Sequence, residues 1–598
     1  MRRSWLILAV IILVAAFLRF HDITSTGVYG VDESRTMMDA RAKYEELRVI
    51  GGLFAGKWRE MHGGPEFLLS EYLPKAHETL ETHQPVLPKF LMSYFGALVM
   101  FIWGFTPWTG NLIEAIFGVG CVAALYFYAK QLTSRRVALL AAGMLAVSCF
   151  HVYYSRNTCG QTMPLFWWIL AFHVHTRWGR RVWRNPALVR RKQGRLLWSG
   201  IFAGLAALSS WQIIPALLAL FVAHALVCMR QRTWRKRIVE TVRGSAIVAA
   251  GILLPILVLE LVNYPMFLLF RSAGLLYPHT TFIGSVIPRF AYHASRGWHP
   301  TGLVVFPYFI GRCEGWGALW LLIGLLVAGL MHIGNRLRWN AALRRSPRMV
   351  LPAIYLGSAF LVPFVLYSAK TIMAARVHGF AWPFLLTIIA MGVVAMWRGD
   401  RSRKKWRRWV VAGTLIIAGG SSLSHCVSIF QLRSAYPEVL AWLRAQGETS
   451  ISSSRQGPVS WYLTCENMDP PGETSHHYFV TDWQELLDGR YPEASESLKA
   501  GVEPWAVFEH RFDRMFLEVE AFPHKPTEPV RGLIKVRELD LDRARQVPVY
   551  RLSDTVLADS VSLNTDALQT EPEPIPRRDR AEKRQGLTVV SLFFPEFE

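Results

Sequence analysis

Long apolar stretches separated by short polar connectors dominate the first 430 residues of the chain. A helix needs about 20 mostly apolar residues to cross the hydrocarbon core of a membrane, and eleven of these stretches are predicted to do so. The predicted spans are 5–20, 110–129, 136–153, 162–176, 196–211, 212–229, 244–263, 313–332, 350–367, 379–397 and 409–430. This pattern is typical of a polytopic, all-α membrane protein.

A twelfth apolar stretch, Val86–Phe105, is not counted as a span. It begins among prolines, carries Lys89, and would reverse the orientation of every later connector if it crossed the membrane. We therefore predict a helix that lies on, or dips into, the outer leaflet. The first outer loop then covers 21–108, with two more amphipathic pieces at 34–60 and 65–82.

Charge is distributed very unevenly along the chain. Its net charge is +22, but residues 431–598 carry 19 Lys and Arg against 28 Asp and Glu, a net −9, which leaves +31 for residues 1–430. Most of that charge lies in connectors between apolar stretches, which is typical of cytoplasmic loops and not of a nucleic-acid surface. These connectors are 130–136, 177–195, 230–243, 336–348 and 398–408.

The basic connectors also predict on which side of the membrane the two ends of the chain lie. Arg2 and Arg3 precede the first apolar stretch, and no small-residue cleavage site follows it, so we predict an uncleaved helix with a cytoplasmic N-terminus. Residues 431–552 alternate helix-like and strand-like pieces and are predicted to form a small extracytoplasmic α/β domain. Residues 553–598 are polar and are predicted to be an extended tail.

The acidic pair Asp32–Glu33 lies about a dozen residues after the first predicted span, in GVYGVDESR. Membrane helices avoid carboxylates, because each costs roughly a few kcal/mol in hydrocarbon. An acidic pair here, just outside the first predicted span, indicates chemistry at a membrane surface. The alternatives are a solvated loop or an N-cap for the following helix.

Two other outer segments carry candidate chemistry. One is the short turn 154–161, YSRNTCGQ. The other is 264–312, which contains arginines and histidines but no acid. A basic outer loop departs from the usual charge pattern. Either the topology differs there, or the loop binds an anion at the outer surface, and we favour the anion.

In their order and spacing, the acidic pair and four further segments resemble the GT-C glycosyltransferases, in the branch of protein O-mannosyltransferases and lipid A aminoarabinose transferases. These segments are HQPVLPKFLMSYFGALVMFIWGF, YYSRNTCGQTMPLFWWILAF, LYSAKTIMAARVHGFAWPFLL and AYPEVLAWLRAQG. The resemblance implies transfer of a sugar from a polyprenyl-phosphate carrier to a protein, lipid or glycan acceptor, outside a bacterial inner membrane. It covers most of residues 1–445.

That chemistry needs a carboxylate to deprotonate the acceptor and cations to stabilise the departing phosphate. The resemblance implies that Asp32 is the base with Glu33 as its support, or the reverse. The candidate substrate-binding residues are His83, Lys89, Arg156, Lys370 and Arg376. For each cation, the alternative is an interfacial side chain that reaches lipid phosphate.

The chain also departs from the family's pattern. Gln161 or Thr162 falls where many relatives carry an acid, which argues against a metal bridged between two acidic loops, and His378 stands where tyrosine is usual. A catalytically silent scaffold, or an accessory subunit of a membrane complex, is therefore the second hypothesis. A transporter is the third, and the lack of an inverted repeat argues against it.

Overall fold

A computed structural model of the protein describes most of the membrane part and pieces of the C-terminal part. The described residues are 2–28, 31–54, 89–185, 193–231, 233–272, 282, 286, 302–339, 347–368, 375–397, 405–447, 452–453, 461–462, 465, 478–480, 504–512 and 541–551. This part of the chain is mainly helical, as the apolar pattern predicts.

Fifteen helices make up the described membrane part. They are α1 (Arg2–Phe20), α2 (Val31–Phe54), α3 (Phe90–Trp103), α4 (Thr109–Leu132), α5 (Arg135–Val147), α6 (Cys149–Tyr154), α7 (Thr162–Arg184), α8 (Gly194–Ser209), α9 (Leu218–Cys228), α10 (Trp234–Ser272), α11 (Gly302–Glu314), α12 (Trp316–Trp339), α13 (Pro347–Ser368), α14 (Trp382–Trp397) and α15 (Lys405–Phe430). Short 3-10 helices lie at Ile23–Ser25, Trp211–Leu217 and Ala375–Phe380.

Several of these helices are long and apolar enough to cross a membrane. Among the described residues there are six: Ser4–Ser25, Thr109–Leu132, Trp211–Cys228, Trp234–Tyr264, Met349–Ser368 and Arg408–Phe430. The pair Phe306–Glu314 and Trp316–Met331 is bent by 117°, as in a broken span or a re-entrant loop. The chain is thus a multi-pass membrane protein, and the count of eleven spans stays a prediction.

Two predicted spans are interrupted. The span predicted at 136–153 is divided at Ser148, whose hydroxyl accepts the His151 N–H at 3.3 Å and begins a second helix. The span predicted at 313–332 is interrupted near its start by a bend at Gly315, which has a left-handed φ of +87°. The pattern of apolar residues missed both breaks. Ser148 stands between apolar residues, and Glu314 and Gly315 stand at the very start of a long apolar stretch.

Within the stretch Val86–Phe105, the structure describes α3, a helix of 14 residues. At 1.5 Å per residue it rises ~21 Å, which is shorter than the ~30 Å hydrocarbon core. It packs closely on α2, since a Cβ on Gly96 would lie 2.5 Å from the Ala40 Cβ. The predicted piece 34–60 lies in α2 as far as Phe54, whereas 55–60 and the piece 65–82 lie outside the described residues.

The described C-terminal part contains helices and a mixed sheet. The helices are α16 (Tyr436–Ala445) and α17 (Leu541–Arg545), and the strands are β1 (Ser452–Ser453), β2 (Tyr478–Val480), β3 (Ala506–Glu509) and β4 (Gln546–Arg551). The strand order is β1-β2-β4-β3; β1 and β2 are parallel and the other pairs antiparallel. The limits of the domain at 431 and 552 stay predictions, and the tail 553–598 lies outside the described residues.

The C-terminal part shares one apolar core with α2 and α3. Met37 of α2 and Met92 of α3 are both fully buried in it. From the C-terminal part it includes Tyr436, Val439, Leu440, Leu443, Trp461, Tyr462, Val480, Val547 and Val549. The helix that begins with the acidic pair is therefore packed directly against the C-terminal part.

Candidate functional site

The acidic pair lies in the first turn of α2, not in a loop. This position favours negative charge, because the first N–H groups of a helix have no intrahelical partner and the helix dipole is positive there. The Glu33 side chain is 5% exposed. The side chain of Asp32 lies outside the described residues, and its backbone belongs to the helix.

The predicted turn 154–161 is a buried polar connector between α6 and α7. Loops usually lie on the surface, because their backbone polar groups need water. Here protein groups replace the water. The Thr158 hydroxyl donates to Asn111 Oδ1 at 2.7 Å, and the Asn111 amide donates to the Gly27 carbonyl at 3.2 Å. The connector is therefore tied to the chain just before the acidic pair.

Cys159 of this connector lies between a carboxylate group and a guanidinium group. Its Sγ is 4.0 Å from Glu33 Oε1 and 3.6 Å from Arg376 Nη1. Arg376 lies in the 3-10 helix Ala375–Phe380 and is half-buried. Two residues that are 343 positions apart in the sequence thus contact the same thiol.

Lys89 approaches the same connector from the start of α3. Its ammonium group is buried and donates to Thr36 Oγ1 at 3.0 Å, three residues after Glu33 on α2. Gly160 has a left-handed φ of +69°, and a Cβ there would lie 2.9 Å from Lys89 Cδ. Glu33 and Arg376 thus lie beside the Cys159 thiol, and Lys89 lies beside Gly160.

Arg156 is fully buried and donates mainly to main-chain carbonyls. Its Nη1 donates to the Arg19 and His21 carbonyls at 3.2 and 2.6 Å, and its Nη2 to Thr26 Oγ1 at 3.1 Å. These contacts tie the connector to the end of the first span. Arg156 and Glu33 also line one small cleft. A role in phosphate binding stays a prediction for this residue.

The predicted site residues thus fall into two groups. The structure brings Glu33, Lys89 and Arg376 together, with Arg156 nearby. His83, Lys370 and the Asp32 side chain lie outside the described residues, as does most of the basic loop 264–312.

Sequence reasoning missed Glu114. It is fully buried in α4, and its Oε2 accepts the Thr162 N–H at 2.7 Å and the Gln161 N–H at 3.2 Å. The sequence contained a usable signal, since an acid inside an apolar stretch is expensive and is often functional.

The two departures from the family pattern have different surroundings. The Gln161 amide donates to Gln212 Oε1 at 2.9 Å. His378 is buried against the rings of Phe306 and Tyr367, and burial lowers the pKa of its imidazole to about 3. Neither of its ring nitrogens has a hydrogen-bond partner in the described part of the chain. No group of three His, Cys, Asp or Glu side chains converges as a metal site within the described residues.

The described part of the chain thus combines several apolar helices with a buried cluster of charged side chains. Residues 83–258 match the family described as dolichyl-phosphate-mannose-protein mannosyltransferase. That family belongs to the GT-C glycosyltransferases, so the resemblance predicted from the motifs is confirmed. A comparison with curated proteins gives no match.

Three solved structures are similar to this protein in backbone arrangement. Archaeal oligosaccharyltransferase AglB from Archaeoglobus fulgidus, in complex with an inhibitory peptide and a dolichol-phosphate, is 13% identical, with a TM-score of 0.47 over 82% of this chain and 70% of that one. ArnT from Cupriavidus metallidurans bound to undecaprenyl phosphate is 12% identical, with a TM-score of 0.47 over 85% and 97%. Arabinofuranosyltransferase AftD from Mycobacteria is 14% identical, with a TM-score of 0.40 over 80% and 35%.

Proposed function

We propose that this protein is a glycosyltransferase of the bacterial inner membrane, which transfers a sugar from a polyprenyl-phosphate carrier to an acceptor on the extracytoplasmic side. The observation that carries the proposal is the approach of Glu33 and Arg376 to Cys159, with Lys89 beside Gly160. An acid and two cations at one buried connector provide the charges that such a transfer requires.

In the proposed reaction, the acceptor oxygen attacks the anomeric carbon while the bond to the phosphate oxygen breaks. The electron pair of that bond leaves with polyprenyl phosphate, and the configuration at the anomeric carbon is inverted. Asp32 takes the acceptor proton, and the buried Glu33 supports it electrostatically. Lys89 and Arg376 stabilise the phosphate as it departs, and the guanidinium can do so through two parallel hydrogen bonds.

The test measures release of polyprenyl phosphate from a panel of labelled polyprenyl-phosphate sugars by the purified protein. Asp32→Asn should lower the rate about 10²–10⁴-fold, because Asn keeps the size but cannot accept the proton. Glu33→Gln should cost less. The control is Asp542→Asn, whose side chain is 85% exposed on α17. A wild-type rate in Asp32→Asn, with unchanged thermal unfolding, would remove the catalytic assignment.

A catalytically silent scaffold is the second candidate. The observation that favours it is Gln161, whose neutral amide, bonded to Gln212, stands where many relatives carry an acid. In that case the wild-type protein would release no polyprenyl phosphate from any donor of the panel. Copurification of other membrane proteins with the full chain would then be expected.

A further inference from the structure

Two buried carboxylates lie at the two ends of the segment 148–162, which includes the connector with Cys159. Glu314 and Glu114 are 2% and 0% exposed. Both come from helices that are distant in the sequence. Neither takes part in the mechanism proposed above.

Glu314 binds the beginning of the segment. Its Oε1 accepts the Phe150 N–H at 3.1 Å and the Ser148 hydroxyl. Its Oε2 accepts the Cys149 N–H at 3.2 Å and the Ser422 hydroxyl. The two N–H groups belong to the first turn of α6, where a helix leaves its donors without intrahelical partners.

The same carboxylate joins several helices. It lies at the bend between α11 and α12, and its main-chain carbonyl accepts the Ser421 hydroxyl of α15 at 3.2 Å. The Trp382 indole of α14 donates to the Ser148 hydroxyl at 3.0 Å. The start of α6 is thus fixed to three other elements through Glu314 and Ser148.

Glu114 binds the end of the segment in the same manner. Its Oε2 accepts the N–H and the hydroxyl of Thr162, at 2.7 and 2.5 Å, and the Gln161 N–H at 3.2 Å. These groups form the start of α7. Each end of the segment therefore has a carboxylate that accepts the free donors of a helix N-terminus.

We propose that Glu114 and Glu314 are positioning residues, which together clamp the segment 148–162. The clamp sets where Cys159 lies relative to Glu33. Buried carboxylates are expensive, and apolar side chains of the same volume are often equally stable in such places. The specific gain from these acids is the fixed position of the segment between them. The effect on turnover rests on the proposed function, whereas the effect on the segment does not.

The first experiment measures the position of the segment without any substrate. N-ethylmaleimide labels the purified full chain, and mass spectrometry follows each cysteine-containing peptide over time. Glu314→Gln and Glu114→Gln should each raise the labelling rate of Cys159 about tenfold, because a lost buried hydrogen bond makes local opening easier. Labelling of Cys228, which is buried in α9, should not change.

A milder pair of variants serves if the carboxylate variants do not fold. Ser422→Ala removes one donor to Glu314 and also the hydroxyl that accepts the Cys149 N–H at 2.9 Å, both at the start of the segment. Ser424→Ala is the matched control, since this hydroxyl lies on the same helix, is exposed, and donates only to the Ser421 carbonyl. Ser422→Ala should raise Cys159 labelling and Ser424→Ala should not.

The outcomes separate the clamp from general stability. If labelling of Cys159 and Cys228 rises in parallel with a fall in melting temperature, the carboxylates only stabilise the fold and the proposal is overturned. Unchanged Cys159 labelling in the carboxylate variants also overturns it. Where the wild type turns over a donor, kcat should fall about tenfold while the donor KM stays within about twofold. If no donor is turned over, the proposed function fails and the labelling still decides on the clamp.

Discussion

The phenol of Tyr462 accepts the Val28 N–H at 2.8 Å and donates to the Val28 carbonyl at 3.5 Å, across 434 residues of sequence. Gly27, with a left-handed φ of +74°, lies directly under the phenol, where a Cβ would clash with it. Tyr462 belongs to the C-terminal part, whereas Val28 precedes Asp32 by four residues. The C-terminal part therefore holds the backbone that leads into the acidic pair.

Tyr462→Phe should destabilise the protein by about 1–3 kcal/mol. The substitution keeps the ring but leaves the buried Val28 N–H without its partner. Thermal unfolding of the full chain measures the loss, and the rate of sugar transfer should fall as well. The control is Val507→Ala, since this side chain is 45% exposed on β3 and its loss should change stability by less than about 0.5 kcal/mol. Equal stability of both variants would show that the phenol contact contributes nothing.

Gly160→Ala should impair transfer more than its effect on stability explains. A left-handed φ costs a residue with a Cβ about 1–2 kcal/mol, and the new methyl group would also displace Lys89. Gly447→Ala is a matched control, because Gly447 has a φ of +77° and a Cβ there would have no atom within 4 Å. Both variants should lose similar stability, and only Gly160→Ala should lose transfer activity. Equal transfer activities of the two variants would show that Lys89 does not bind the donor phosphate.

His510 should make the C-terminal part sensitive to acid. Its Nδ1 accepts the Ala435 N–H at 2.9 Å, and burial lowers the pKa of its imidazole to about 3. In the unfolded chain the pKa is near 6.5. The unfolded state thus binds more protons between these values, so this stabilisation is complete above pH 6.5 and is lost as the pH falls towards 3.

Thermal unfolding of the wild type and of His510→Asn checks this expectation. Asn can still accept the Ala435 N–H but does not titrate. Between pH 6.5 and 5 the wild type should lose about 1–2 kcal/mol more than the variant. If the unfolding free energies of the two proteins change in parallel with pH, His510 is not held neutral by burial, and the expectation is wrong.

The orientation of the chain can be measured by cysteine labelling in spheroplasts. Cys465, the half-buried native cysteine, is first replaced by Ser. An impermeant maleimide should then label Cys at position 104 or 447 and not at position 194, because the basic connector after α7 is predicted to be cytoplasmic. Labelling at 194 from outside would reverse the predicted topology. If the cysteine at 447 is labelled but the cysteine at 104 is not, α3 does not end at the outer surface.

The sequence by itself determined the class of the protein and the order of its parts. Apolar stretches of the length of a span, basic connectors between them and the motifs around Asp32, Cys159 and Arg376 depend only on local composition and spacing. These predictions do not depend on how the helices pack, because the cost of charge in hydrocarbon acts on each apolar stretch separately. They were sufficient for the resemblance to the GT-C enzymes.

Only the tertiary structure decided which charged groups meet. The contacts of Cys159 with Glu33 and Arg376, and those of Glu314 with Ser148 and Ser422, join residues more than 100 positions apart. Such contacts depend on the packing and crossing of helices, which a one-dimensional pattern does not contain. The helix breaks at Ser148 and Gly315 could not be predicted from the sequence for the same reason, since side chains from distant helices bind the backbone or side chains at each break.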